Sequence, residues 1–263
     1  MMRAFLFGLC LGLAACSPVR DVQRPIGSAE SIVVRAPDFG DSNPHDWDGR
    51  APQSYAVHGI DASRWQGMID WPLARESGVN FAFLKATEGG NIVDAAFAPN
   101  FAAARRAGVP IGAYHFWYHC RPAAEQARWF IRHVPRTSGA LPPVLDMEWT
   151  PFSPTCTLRP TPEAIRRQAK IFLDLLEAHY GQRPIIYSAP DFFETNELWK
   201  LGGYDFWLRS VAGHPRDVYG GRHWTFWQYS GTGLVPGVPG KADLNVFAGS
   251  REDWARWLAA RQK

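Results

Sequence analysis

Charge of one sign and long apolar runs are both scarce in this chain of 263 residues. Lys and Arg number 28 against 25 Asp and Glu, a net charge of +3, and the two signs are mixed along the sequence. No Lys/Arg run forms the footprint that nucleic acid requires, so nucleic acid is not an expected partner. The small positive balance favours drift toward an anionic polymer, an effect that salt screens. The apolar run Ala4–Ala15 falls well short of the ~20 residues of a membrane-spanning helix. Cysteine is scarce too, at four residues. No spacing of His, Cys and carboxylates resembles a zinc site, so neither metal nor cofactor is expected. Ser63 has no His and Asp arrangement that would make it a triad nucleophile.

What is present begins with an address. Met1-Met2-Arg3 is followed by the apolar run, which ends in Leu13-Ala14-Ala15-Cys16-Ser17. This resembles a bacterial lipobox, so residues 1–16 read as a lipoprotein signal peptide with Cys16 as the lipid anchor. Ser17 in place of Asp resembles outer-membrane sorting; the expected location is the outer membrane, facing the periplasm. Cys10 lies in the signal, which leaves Cys120 and Cys156 as an even pair. In an oxidising compartment they are expected to form a disulfide, closing a loop of about 37 residues worth about 4 kcal/mol by chain entropy. Residues 17–54 contain Pro18, Pro25, Pro37, Pro44 and Pro52 among Asp and Ser, with little apolar periodicity, and read as a flexible tether. Residues 55–263 then suit one large domain.

Within it, short apolar runs alternate with amphipathic stretches. Expected strands are Val57–Ala62, Phe81–Ala86, Ile111–Phe116, Val144–Glu148, Ile185–Ser188, Phe206–Val211, Thr225–Tyr229 and Ala242–Phe247. Most are nearly continuous apolar runs, as strands covered on both faces require. Expected helices are Pro72–Ser77, Asp94–Ala107, Pro122–Val134, a segment from Thr161 to about Tyr180, Phe192–Leu201 and Arg251–Arg261. After the sixth strand only Gly- and Pro-rich loops remain between strands. The expected fold is an α/β, irregular β/α barrel of TIM type, with eight strands and no helices between the last of them.

Such a barrel places chemistry at the C-terminal ends of its strands. There the sequence sets Asp61, Glu88, Asp146 and Glu148, while Asp243 reaches the same mouth only if the last strand runs antiparallel. Asp146 and Glu148 are two apart on a strand, so both point one way with Cα atoms roughly 6.6 Å apart. Two carboxylates so placed cannot ionise independently; one keeps a proton toward neutral pH. Glycoside cleavage needs a protonated acid beside an anion. Aromatic residues make up 14% of the chain, with 12 Trp, and flat apolar rings are what pyranose faces stack on. Tyr114, Trp149, Tyr187 and Trp227 are the stacking candidates, and Gln228 a polar contact. Lys85 and Arg209, at strand ends, are expected to pair with the acids. His115 serves either the sugar or the barrel wall.

The run His58-Gly59-Ile60-Asp61-Ala62-Ser63-Arg64-Trp65-Gln66-Gly67, then Ile69-Asp70-Trp71, resembles the opening of glycoside hydrolase family 25, the Chalaropsis-type lysozymes. Further blocks are similar and in the family's order: Phe81 to Gly89, Asp94 to Phe116, Pro142 to Glu148, Trp227 to Ser230, and Asp243 to Phe247. The resemblance spans about Tyr55 to Gly249. It implies a peptidoglycan hydrolase cutting the β-1,4 bond between N-acetylmuramic acid and N-acetylglucosamine with retention. It also implies Glu148 as general acid, Asp146 as the carboxylate beside it, and Asp61 and Asp243 as further acids of the cleft. Either the substrate's acetamido oxygen or a carboxylate could attack the anomeric carbon; the first is preferred. Arg64 departs from the family's pattern, as does the Cys120/Cys156 pair. Expected partners are peptidoglycan strands and, through Cys16, a membrane, with the protein acting as a monomer. A wall-binding lipoprotein without activity and a chitinase-like glycosidase are the alternatives.

Overall fold

A computed structural model describes Met1 and residues 33–261. The expected signal segment and its Cys16 lie outside the described residues. The elements in chain order are β1 (Gly40–Asp41), β2 (His58–Ala62), α1 (Trp71–Glu76), β3 (Ala82–Glu88), β4 (Ile92–Val93), α2 (Phe97–Arg106), β5 (Ile111–Phe116), α3 (Ala123–His133) and β6 (Val144–Met147). They continue with α4 (Pro162–Tyr180), β7 (Ile185–Ser188), α5 (Pro190–Thr195), β8 (Asp205–Arg209), α6 (Pro215–Val218), β9 (Phe226–Leu234), β10 (Ala242–Phe247) and α7 (Arg251–Ala259).

Eight strands close a barrel in the order β2-β3-β5-β6-β7-β8-β9-β10, the last pairing back onto the first. Neighbours from β2 through β9 run parallel. β10 runs antiparallel to both its neighbours. All eight expected strands are therefore present, and the antiparallel closing strand is the one that carries Asp243 to the mouth.

Helix α4 shows how the sequence builds the outer layer. Thr161 caps it by accepting a hydrogen bond from the Ala164 amide at 3.3 Å. Pro162 occupies the first turn, and Gly181 ends it in the left-handed region at φ 68°. Ile165, Ala169, Phe172, Leu173 and Leu176 recur at helical spacing and are buried. Each large apolar side chain so buried contributes about 1.5–3 kcal/mol.

The barrel interior is filled from its N-terminal end by Val57, Phe81, Phe83, Trp207, Phe226 and Phe247, all buried in one cluster. Helix α7 lays Trp254 and Leu258 across that end, with the Trp254 ring 5.5 Å from Phe81 and 5.2 Å from Phe247. Two glycines make room for the rings. A Cβ on Gly59 would sit 2.4 Å from the Phe81 carbonyl oxygen, and one on Gly112 2.7 Å from the Phe83 ring. Chemistry is thereby confined to the opposite, C-terminal end.

Three features differ from expectation. The two-residue strands β1 and β4 carried no sequence signal. A four-residue helix, α6, forms after β8, where only loops were expected. The far part of the expected tether, residues 33–54, lies packed along the barrel, so the folded unit begins well before Tyr55. Asn80 holds it by accepting from the Arg35 amide at 2.7 Å and donating to the Arg35 carbonyl at 2.9 Å. β1 then adds to the free stretch of β9, Gly40 opposite Leu234 and Asp41 opposite Gly233. Trp47 packs edge-on against Trp227, ring centres 5.1 Å apart.

Candidate active site

Every barrel strand contributes at least one side chain to a single cleft of about 260 Å³ at the C-terminal end. Asp61 comes from β2, Lys85 from β3, and Tyr114 and Phe116 from β5. Asp146 comes from β6, with Glu148 one residue beyond its end. Tyr187 comes from β7, Trp207 and Arg209 from β8, Gln228 from β9 and Asp243 from β10. The four expected acids therefore share one mouth. Asp243 and Asp61 are direct partners across the antiparallel β10–β2 pair.

The acids are not equivalent. Asp61 is clamped: its Oδ1 accepts from Gln228 Nε2 at 2.9 Å and from Asn245 Nδ2 at 2.8 Å. Gln228 is itself held by Tyr187, whose hydroxyl donates to its Oε1 at 2.9 Å. Asn245 accepts from Trp207 Nε1 at 2.7 Å. Gln228 thus has both ends of its amide engaged and acts by fixing Asp61. Asp146 is the reverse case: its Oδ1 is buried and has no hydrogen-bond partner among the described residues. Such an oxygen destabilises the anion. Glu148 is half-buried and the more accessible of the pair. Its backbone carbonyl accepts from His119 Nε2 at 3.0 Å. The other ring nitrogen of His119 accepts from Trp117 Nε1 at 3.1 Å, which fixes the proton on Nε2.

Burial raises the carboxyl pKa of Asp61, Asp146, Glu148 and Asp243, and their mutual repulsion adds to it at the first three. Asp61 is pushed up by burial and by Asp243 beside it, Asp146 by burial and by Glu148. Burial pushes Glu148 up while Arg209 pulls it down, and Asp243, under the same two influences, rises to about 6. A pocket with this many acids and only Lys85 and Arg209 as lining cations retains protons toward neutral pH.

Several expected roles change. Trp227 is wholly buried outside the barrel wall, packed on Trp47 and Tyr55, with its Nε1 donating to the Ser210 carbonyl at 2.7 Å; it does not reach the cleft. Trp149 turns away onto Phe192 and His119, at 4.6 and 5.3 Å, with Arg159 over its ring. Tyr114 and Tyr187 do line the cleft. Lys85 pairs not with the four acids but with Glu88, at 2.5 Å. Arg209 forms no ion pair among the described residues. His115 faces the helical layer, bonded to Thr87 Oγ1 at 2.7 Å and Gln126 Oε1 at 3.0 Å. Sequence reasoning missed Trp65, which stands 78% exposed at the lip of the cleft. It sits on a one-turn helix capped by Ser63 and Gln66 and closed by Gly67 at φ 62°. Its position directly after the Asp61 strand end was the available signal.

The disulfide is present. Cys120, after β5, joins Cys156, in the loop after β6, with Cα atoms 5.7 Å apart. It flanks His119 on one side and the Glu148–Thr150 turn on the other, where Thr150 Oγ1 donates to the Cys156 carbonyl at 2.7 Å.

Residues 60–238 match the model of Glycosyl hydrolases family 25. Lysozyme M1 of Streptomyces globisporus is 37% identical over 218 residues, covering 77% of this chain and 70% of that protein. The Escherichia coli (strain K12) protein YegX is 37% identical over 209 residues, 78% of this chain and 74% of its own. Among solved structures, a family 25 glycosyl hydrolase from Bacillus anthracis is 33% identical with a TM-score of 0.73, over 82% of this chain and 99% of that one.

Proposed function

The chain belongs to glycosyl hydrolase family 25, and from that premise we propose that it is a muramidase, cutting the β-1,4 bond between N-acetylmuramic acid and N-acetylglucosamine in peptidoglycan with retention. The observation that carries this is the convergence of Asp61, Asp146, Glu148 and Asp243 on one cleft, with a raised pKa at each. Glu148 is the general acid: it borders the cleft, is half-buried, and holds a proton for the bridging oxygen. Asp146, its pKa raised by burial and by Glu148 beside it, releases its proton more readily as positive charge develops at the anomeric carbon. The substrate's acetamido oxygen attacks that carbon, with Asp146 beside it to orient the group and offset its charge. Asp61, clamped by two amides, and Asp243 line the rest of the cleft and favour the oxocarbenium-like charge of the transition state. Tyr114, Tyr187 and Trp65 offer rings to the sugar faces.

Mass spectrometry of digested sacculi tests the bond: reducing ends at N-acetylmuramic acid support the reading, and reducing N-acetylglucosamine ends defeat it. Glu148→Gln is expected to cut turnover at least about a hundredfold, as loss of a general acid does, with the fold retained and stability at neutral pH no lower than wild type. A variant retaining a few per cent of activity defeats the acid assignment. Cys16 is proposed to carry a lipid that holds the enzyme at the outer membrane, facing the periplasm, supported by the lipobox-like run Leu13 to Ser17. Cys16→Ala is expected to release active enzyme to the soluble periplasmic fraction; persistence in the membrane fraction defeats the anchor.

A further inference from the structure

The packed segment 33–54 encloses a hollow of about 740 Å³ between itself and the barrel. It leaves the edge of β9 after Ser42, whose amide donates to the Thr232 carbonyl at 3.0 Å, and returns where Trp47 meets Trp227. The space between is lined by Asp41, His45, Trp47, Tyr229, Ser230 and Arg209. Arg209 also lines the acid cleft, so the two spaces adjoin at this residue. Gly231, in the floor of the hollow, backs directly onto the cleft: a Cβ there would sit 3.2 Å from Asp243 Oδ1. The hollow carries both signs of charge. Arg209 is the cation. Asp41 is the anion, fixed by the Asn43 amide at 2.9 Å and the Thr232 hydroxyl at 2.6 Å. Burial raises its pKa, but these bonds, with Ser230 and nearby Lys241, hold it below the usual carboxylate value.

We propose that this hollow is a subsite for the peptide carried on the lactyl group of the muramyl residue, an amide-linked chain bearing carboxylates and a free amine. The proposal rests on the muramidase reading above. Once the lactyl carboxyl is amide-linked, the glycan itself is uncharged and offers neither Arg209 nor Asp41 a partner. A short peptide offers both: a carboxylate for the guanidinium at the junction, an ammonium for Asp41, and methyl groups for Trp47 and Tyr229. The segment that encloses the hollow lies outside residues 60–238, the part matching the family.

The test uses the full chain on uncrosslinked glycan strands, peptide-bearing or stripped of peptide by an amidase. The wild type is expected to cleave the peptide-bearing strands with the higher kcat/KM. Asp41→Asn is expected to lower that value about tenfold, mainly through KM, the size of one charge-assisted hydrogen bond. Asn43→Arg, at an exposed position where the backbone bond to Asp41 survives, fills the hollow and is expected to do the same. Both variants should leave stripped strands within about twofold of wild type, the range of ordinary surface changes. Equal cleavage of the two strands by the wild type, or an equal loss on both in the variants, overturns the subsite. If neither strand is cut, the hydrolase reading fails, and calorimetry with free muramyl tetrapeptide decides the subsite separately. Heat that Asp41→Asn abolishes supports it; no heat from the wild type overturns it.

Discussion

Asp243 shows what the cleft costs the fold. Its carboxyl is raised from 3.8 to about 6, chiefly by burial. The folded state therefore binds this proton more tightly than the unfolded chain does. Stability from this group is present below pH 4 and is lost as pH rises toward 6. Asp243→Asn removes the penalty, so the variant is expected to be up to about 3 kcal/mol more stable than wild type at pH 7.5 and no more stable at pH 4. His58 and His115 act with the opposite sign. Burial lowers both to about 4, so they remove stability as pH falls from 6.5 toward 4. In the wild type the buried acids mask that loss. In Asp243→Asn the mask is thinner, and melting temperature should fall more steeply on acidification. Calorimetric melts of both proteins between pH 4 and 8 measure the two slopes, and parallel curves would refute the raised value at Asp243.

At the scale of elements, the strands were legible because burial on both faces leaves nearly unbroken apolar runs, and the acids were legible because they stand where such runs stop. Trp227 was misread although strand geometry could have placed it. Neighbours on a strand face opposite sides, so with Gln228 turned into the cleft Trp227 must face outward. Trp149 lies past the end of β6, where no strand period guides its side chain. The segment 33–54 was illegible for another reason: backbone pairing at β1, the Asn80 side chain on the Arg35 backbone and Trp47 on Trp227 hold it, and composition registers none of these. Cys120 and Cys156 were legible as a pair, but their relation to Glu148 through His119 was not. The cross-link spans 36 positions, so the Cys120→Ser/Cys156→Ser double variant is expected to lose about 4 kcal/mol by chain entropy. Because His119 then holds the Glu148 carbonyl from a looser loop, kcat should fall as well. Urea unfolding and initial rates without reductant check both; unchanged kcat would make the bridge purely structural.

On the scale of the whole molecule, stability and chemistry occupy opposite ends of one barrel. Trp254→Ala, at the end closed by α7, removes a fully buried ring and is expected to cost about 3–5 kcal/mol. At a temperature where the variant remains folded, kcat should match wild type, since none of the four cleft acids is nearby; a large drop in kcat would show that the ends are coupled. The ring of strands is sealed by joining its first member to its last, β2 to β10. That seam is also where Asp61 meets Asp243. A polypeptide emerging from its point of synthesis or export lacks half of this junction until β10 (Ala242–Phe247) has passed. Until then it has neither a finished wall nor a full set of acids. Cutting power therefore arrives all at once, when β10 joins β2.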